Sequence, residues 1–208
     1  MRFSDITYEN LKSGELEREL PEFYELKTVI ENNPWHDNES TFVHTLAVLE
    51  ELQKIISGNL DQKLINDLDQ NIDTHTRKEL LFLATVFHDL GKKETIIKKD
   101  VYSFFPKHEE VSVTKAGEIL KKIELTGKEV AFVLNIIKNH TAVHSIVSED
   151  NPNIHAQFLE LKSMNKEYFS ELILMVWADT SSGQLKETEP KNFRFRVGYY
   201  KKQLGLSK

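Results

Sequence analysis

His44, His88, Asp89, His108, His140 and Asp179 are the residues of this chain whose types and settings could do chemistry. The stretch VFHDLGKK, from Val86 to Lys93, puts a histidine and an aspartate side by side directly after an apolar run. An unpartnered polar group in such a place costs roughly 2–7 kcal/mol, so something must satisfy the pair. The other four share the setting, each within or at the end of an apolar segment. His140 follows Val133 and Ile137, and Asp179 follows Leu172 and Met175, at helical spacings that turn both toward a buried face. A helical bundle that converges four histidines and two aspartates on one interior point is a metal site of the kind built between facing helices. The chain has no cysteine, so the ligands are nitrogen and oxygen. That set suits manganese, iron, cobalt, nickel, zinc or magnesium. The two oxygens of Asp89 could bridge, so one or two ions are expected. Taken singly, any of these histidines reads as a hydrogen-bonded interior residue; the set is what points to a metal.

Helices must carry these residues. STFVHTLAVLEELQKIIS spaces Phe42, Val43, Leu46, Leu49, Leu52, Ile55 and Ile56 along one helical face, and Gly58 ends it. Ahead of it, Pro21 opens PEFYELKTVIENN as a helix. Asp61 to Ile72 shows a weaker amphipathic pattern. Thr76 and Glu79 form a T-x-x-E capping box that starts the helix running to His88 and Asp89, with Gly91 as a left-handed C-cap. The β-branched and aromatic stretch TIIKKDVYSFF predicts a short hairpin or extended loop over residues 95–105, which Pro106 closes. A helix from about His108 to Ile123 follows, and a second capping box, Thr126 to Glu129, opens EVAFVLNIIKNH, with His140 at its end. Asn165 caps the apolar segment through LILMVWAD, which Gly183 terminates; the tail FRFRVGYYKKQ reads equally as helix or extended arm. The expected fold class is all-α, one domain over residues 1–208.

Charge narrows the partners. Lys and Arg total 27 against 33 Asp and Glu, a net charge of −6, which argues against a long nucleic acid and leaves room for a small phosphorylated ligand held locally. The N-terminus lacks the apolar core of a signal peptide, and no run approaches the roughly 18 apolar residues of a membrane span. A cytoplasmic protein is the expectation.

The ordered set of His44, then His88 with Asp89, then Asp179 resembles the HD-domain metal-dependent phosphohydrolases. FVHTLAVLEEL looks like the first motif of that family, LLFLATVFHDLGK like its second and MVWADTSSG like its last, so the likeness spans about Pro34 to Gly183. FPKHEEVSVTKAGEIL and IIKNH look like the further histidine motifs of a subset that includes the HD domain of bacterial CCA-adding enzymes and several two-metal members. That resemblance implies a helical HD bundle, with His108 and His140 on a second metal and Asp89 bridging. The residues ahead of Pro34 lack the Gly-rich segment and paired aspartates of a nucleotidyltransferase head, so nucleotide addition to RNA is not expected. The Gly-Tyr-Pro signature of cyclic-di-GMP phosphodiesterases is also missing, since Gly198-Tyr199 is followed by Tyr200.

The activity implied is hydrolysis of a phosphomonoester or phosphodiester of a nucleotide or similar small molecule, with a divalent ion acidifying water and polarising the phosphoryl group. Asp89 and Lys92 would be catalytic, Lys92 standing at the family's HD-x-G-K lysine and offering charge to a phosphate oxygen. The alternative for Lys92 is a solvated lysine at a helix end. His36, Lys92 and Lys107 are the expected substrate contacts, and Trp35 could stack on a base. Arg194 and Arg196 could face an anion or be merely solvated. His75, His144 and His155 lie in polar surroundings and are left out of the set. Two other functions use the same ligands: a di-iron HD-type oxygenase, and a metal-bound regulatory module that holds a phosphorylated ligand without turning it over.

Overall fold

The computed structural model describes residues 1–58 and 60–206. After a 3-10 turn at Phe3–Asp5 come α1 (Tyr8–Ser13) and α2 (Pro21–Tyr24), then β1 (Ile30–Asn33) and β2 (His36–Ser40). The long helix α3 (Thr41–Ser57) is followed by α4 (Gln62–Leu68), α5 (Arg77–Phe87) and α6 (Lys92–Thr95). A second hairpin, β3 (Ile97–Lys99) and β4 (Tyr102–Phe104), leads into α7 (His108–Leu120) and α8 (Gly127–Ile146). The chain ends with α9 (Ile154–Met164), α10 (Phe169–Ser182), α11 (Leu185–Thr188) and α12 (Pro190–Gln203). The fold is all-α with two small antiparallel hairpins, and no helix among the described residues is long and apolar enough to cross a membrane.

Local chemistry sets the helix starts. Ser40 accepts from the Val43 N–H at the head of α3, and Asp61 accepts from the Leu64 N–H at the head of α4. Both expected capping boxes form, Thr76 with Glu79 on α5 and Thr126 with Glu129 on α8. Packing then joins α3, α5, α8 and α10 around one core, with α10 the most buried: Leu172, Ile173, Leu174, Met175 and Val176 are each wholly buried. Burying one such side chain stabilises by about 1.5–3 kcal/mol, so α10 anchors the bundle on which Asp179 is mounted.

Four expectations are corrected. PEFYELKTVIENN is not one helix: it stops at Tyr24, tightens into a 3-10 turn over Glu25–Thr28 and leaves as β1. There it pairs antiparallel with β2 and is fastened to the second hairpin, where Ser103 of β4 accepts from the Asn32 N–H at 2.7 Å and Asn32 Nδ2 donates to the Val101 carbonyl at 2.7 Å. Gly91 is not a left-handed C-cap; its φ is −81° and it stands at the head of α6. Glycine is needed there because a Cβ would collide with the His108 carbonyl and meet the Ser112 nitrogen at 2.7 Å. Asn165 does not cap α10, which starts four residues later; it ends α9, and its amide donates to the Leu161 carbonyl. Finally, α8 does not end at His140 but runs two turns further to Ile146, with consequences for the site. The tail resolves as helix, α12.

Candidate metal centre

The six histidines and aspartates arrive at one place from five elements. His44 comes from the second turn of α3, His88 and Asp89 from the turn after α5, His108 from the start of α7, His140 from α8 and Asp179 from the last turn of α10. Their donor atoms sort into two groups, His44 with His88 and Asp179, and Asp89 with His108 and His140, each group within 4.8 Å. Asp89 faces both. Its Oδ2 lies 3.1 Å from His88 Nε2 and 3.8 Å from His44 Nε2, while its Oδ1 lies 3.1 Å from His108 Nε2 and 3.8 Å from His140 Nε2.

The backbone fixes which nitrogen each ring presents. Nδ1–H of His88 donates to the Thr85 carbonyl at 2.7 Å, that of His108 to Phe105 at 2.8 Å and that of His140 to Ile137 at 2.6 Å. Each bond reaches back three residues and leaves Nε2 turned to the centre, the arrangement that orients metal-ligating imidazoles. His44 Nε2, His88 Nε2 and Asp89 Oδ2 are buried and make no directed hydrogen bond among the described residues; their neighbours are ionic contacts, Asp179 Oδ1 at 2.9 Å from His44, Asp89 Oδ2 at 3.1 Å from His88 and Lys92 Nζ at 2.8 Å from Asp89. Buried nitrogen and oxygen donors crowded at one point without directed hydrogen bonds are what a cation would join. The donor set therefore fits a divalent metal.

Electrostatics agree with that fit. Burial opposes the charge on Asp89, but His88 and Lys92 outweigh it and hold the carboxyl well below its usual range. Burial likewise works against Asp179, and His144 and His44 hold it down. His140 is pushed well below the ordinary imidazole value by burial and by His108 and His88, which keeps it neutral and able to ligate. His88 behaves oppositely: burial lowers it, but Asp89 raises it to about 9.

Beside these residues lies a cavity of about 350 Å³, with Asp89, His108, His140 and Asp179 on its floor. Lys92 lines it but is not a solvated helix-end lysine: its ammonium is buried 2.8 Å from both Asp89 Oδ2 and Glu31 Oε2. His36 also lines it, with Nδ1 2.7 Å from Glu39 Oε1 and its ring 4.4 Å from that of His44. Lys107 is not brought there; its side chain is 77% exposed and sits 3.5 Å from Glu110. Arg194 is exposed, whereas Arg196 is buried behind the cavity with its guanidinium 4.7 Å from the Trp35 ring. A larger recess of about 570 Å³ between the N-terminal segment and α3, α4 and α5 has no histidine in its lining.

Two residues escaped sequence reasoning. Glu31, buried on β1, accepts from Lys92 and, at 2.7 Å, from the Thr41 hydroxyl. His144, one turn beyond His140, places Nε2 at 2.7 Å from Asp179 Oδ2. The signal for His144 was present in the H-x-x-x-H spacing on α8, hidden by ending the helix too early. Nothing local marks Glu31.

A family model described as HD domain matches residues 41–179, well over half of the chain. The chain belongs to the HD-domain family, a superfamily of metal-dependent phosphohydrolases. The match is to the HD domain at large and does not single out the form found in CCA-adding enzymes. Among curated proteins, none matches the chain.

Proposed function

We propose that residues 1–208 act as one HD domain that hydrolyses a phosphomonoester or phosphodiester of a nucleotide or similar small molecule. The observation that carries this reading is the convergence of His44 Nε2, His88 Nε2 and Asp89 Oδ2, buried and without directed hydrogen bonds, beside an open cavity. His44, His88, Asp89 and Asp179 would hold one divalent ion, and Asp89, His108 and His140 a second. Bound there, the metal supplies an acidified water and a Lewis acid for the phosphoryl oxygens. The chain's own residues do the rest. Asp89 divides its oxygens between the two groups and so fixes their spacing. Lys92, held by Glu31, keeps a positive charge at the cavity wall where a phosphoryl oxygen would lie. His36 backs His44 and closes that side against water.

The test is phosphate release from nucleotides, an aryl phosphate and an aryl diester after reloading with Mn, Co, Ni or Mg, beside Asp89→Ala. Turnover that needs metal and vanishes in the variant supports the hydrolase. Silence from folded, metal-loaded protein would sink it in favour of an oxygenase or a binding module.

A further inference from the structure

The walls of the cavity carry information that its floor does not. Three carboxylates line it, Glu31, Asp89 and Asp179, against one ammonium, that of Lys92, already 2.8 Å from two of them. The divalent cations of the proposed function, on which this inference rests, would offset that negative excess and one phosphoryl dianion. Among the described residues that line the cavity, Lys92 is the one lysine or arginine, so no second such cation is in place for a second phosphate. The rim is made by Trp35, Phe104, Asn33, Thr141 and Ser145, which are neutral, and Lys107 faces solvent beside Glu110. An anion placed among them would lose water without gaining an oppositely charged partner.

The same rim suits a flat, uncharged group. Trp35 follows β1 and Phe104 ends β4, so the two hairpins each bring one aromatic side chain to the cavity. Arg196 covers one face of the Trp35 ring at 4.7 Å and the His144 ring meets it edge-on at 5.3 Å, which holds the indole in place. Phe104 remains 49% exposed, an aromatic surface with room for a ring beside it. Asn33, Thr141 and Ser145 offer neutral hydrogen bonds around these rings. A volume of about 350 Å³ is at the small end of ligand pockets, which begin near roughly 300 Å³.

We propose that the cavity takes a phosphomonoester with a single phosphoryl group and an uncharged planar leaving group, a nucleoside monophosphate, that Trp35 and Phe104 hold its base, and that the neutral rim disfavours nucleoside di- and triphosphates. The reaction is hydrolysis. Water oxygen bonds to phosphorus, the ester P–O bond breaks, and its electron pair stays on the nucleoside oxygen, which takes up a proton. Inorganic phosphate and the nucleoside leave.

The experiment compares AMP, ADP, ATP and glycerol phosphate on the metal-loaded full chain, with Phe104→Ala and Phe104→Tyr. AMP should exceed ADP and ATP by about tenfold or more in kcat/KM. Phe104→Ala should raise KM for AMP by about tenfold with little change in kcat, the effect expected of a lost ring stack, and Phe104→Tyr should restore it. A second readout needs no turnover: in a Trp177→Phe background, AMP should quench Trp35 emission at lower concentration than ATP. ATP turned over or bound as well as AMP, or an unchanged KM in Phe104→Ala, overturns this inference and leaves the hydrolase reading standing. Failure of AMP and glycerol phosphate overturns this inference, and failure of the aryl diester as well overturns both.

Discussion

The imidazole of His144 holds one oxygen of the Asp179 carboxylate at 2.7 Å, while His44 Nε2 stands 2.9 Å from the other. The aspartate is thereby pinned from both sides, and only the oxygen facing His44 is turned to the centre. His144→Leu should release the carboxylate and weaken metal binding by about 10- to 100-fold, the usual cost of removing such a support. His144→Gln, which can place an N–H near Nε2, should recover most of it. Calorimetric titration with Mn²⁺ reads this directly, and wild-type affinity in the leucine variant would show that His144 supports nothing.

Metal loading should expel protons. Burial disfavours charge on His88, but Asp89 outweighs it and the pKa rises from 6.5 to about 9, so near neutral pH the metal-free ring carries a proton that a ligand must lose. Affinity should therefore climb about tenfold per pH unit toward pH 9. The sign for stability is opposite: this ion pair helps the metal-free fold fully below pH 6.5 and is lost as pH rises through about 9. Titrations in buffers of different ionisation enthalpy count the protons released, and a heat independent of buffer would contradict the assignment.

Acid should loosen the fold at a staple remote from the metal centre. Burial pushes the Glu129 carboxyl up, but the N–H groups of Thr126, His75 and Thr74 and the Thr74 hydroxyl outweigh it and hold it at about 2. Its contribution is complete above pH 4.5 and lost as pH falls through about 2. Glu129→Gln should cost about 1–3 kcal/mol at neutral pH. Thermal melts of both proteins should converge as pH approaches about 2, and a constant gap would refute the account.

Gly91→Ala tests the docking of α7. A Cβ there meets the Ser112 nitrogen at 2.7 Å and collides with the His108 carbonyl, so the first turn of α7 must shift. Overpacking of this kind costs about 1–3 kcal/mol. Because His108 opens that turn, the variant should also weaken any metal binding that uses His108, and Mn²⁺ affinity equal to wild type would count against that role.

The long helices were legible because their apolar spacing and caps are local. Ser40, Thr76 and Thr126 each sit where their own sequence says a helix begins. The six candidate ligands were legible for the same reason, as polar residues left on apolar faces. Residues whose role depends on distant chain were not. Asn32 pairs with Asp37 of β2 but is fastened in place by Ser103 and Val101, and Gly91 is glycine on account of His108 and Ser112, neighbours in space rather than in the nearby sequence. Lys92 reads from sequence equally as a phosphate contact or a solvated helix-end lysine, and only the arrival of Glu31 on an unforeseen hairpin shows it buried.

The Asn32–Ser103 joint ties the two hairpins together, with Ser103 Oγ donating back to the Asn32 carbonyl at 3.3 Å. The helices hold the reactive groups, so descendants or engineered forms of this chain could exchange appetite while keeping the same engine. The joint limits how: neither hairpin can be swapped alone without orphaning the other's backbone. New specificities should therefore emerge as matched replacements of both loops, and a graft that ignores Asn32 and Ser103 should fail in shape before it fails in taste.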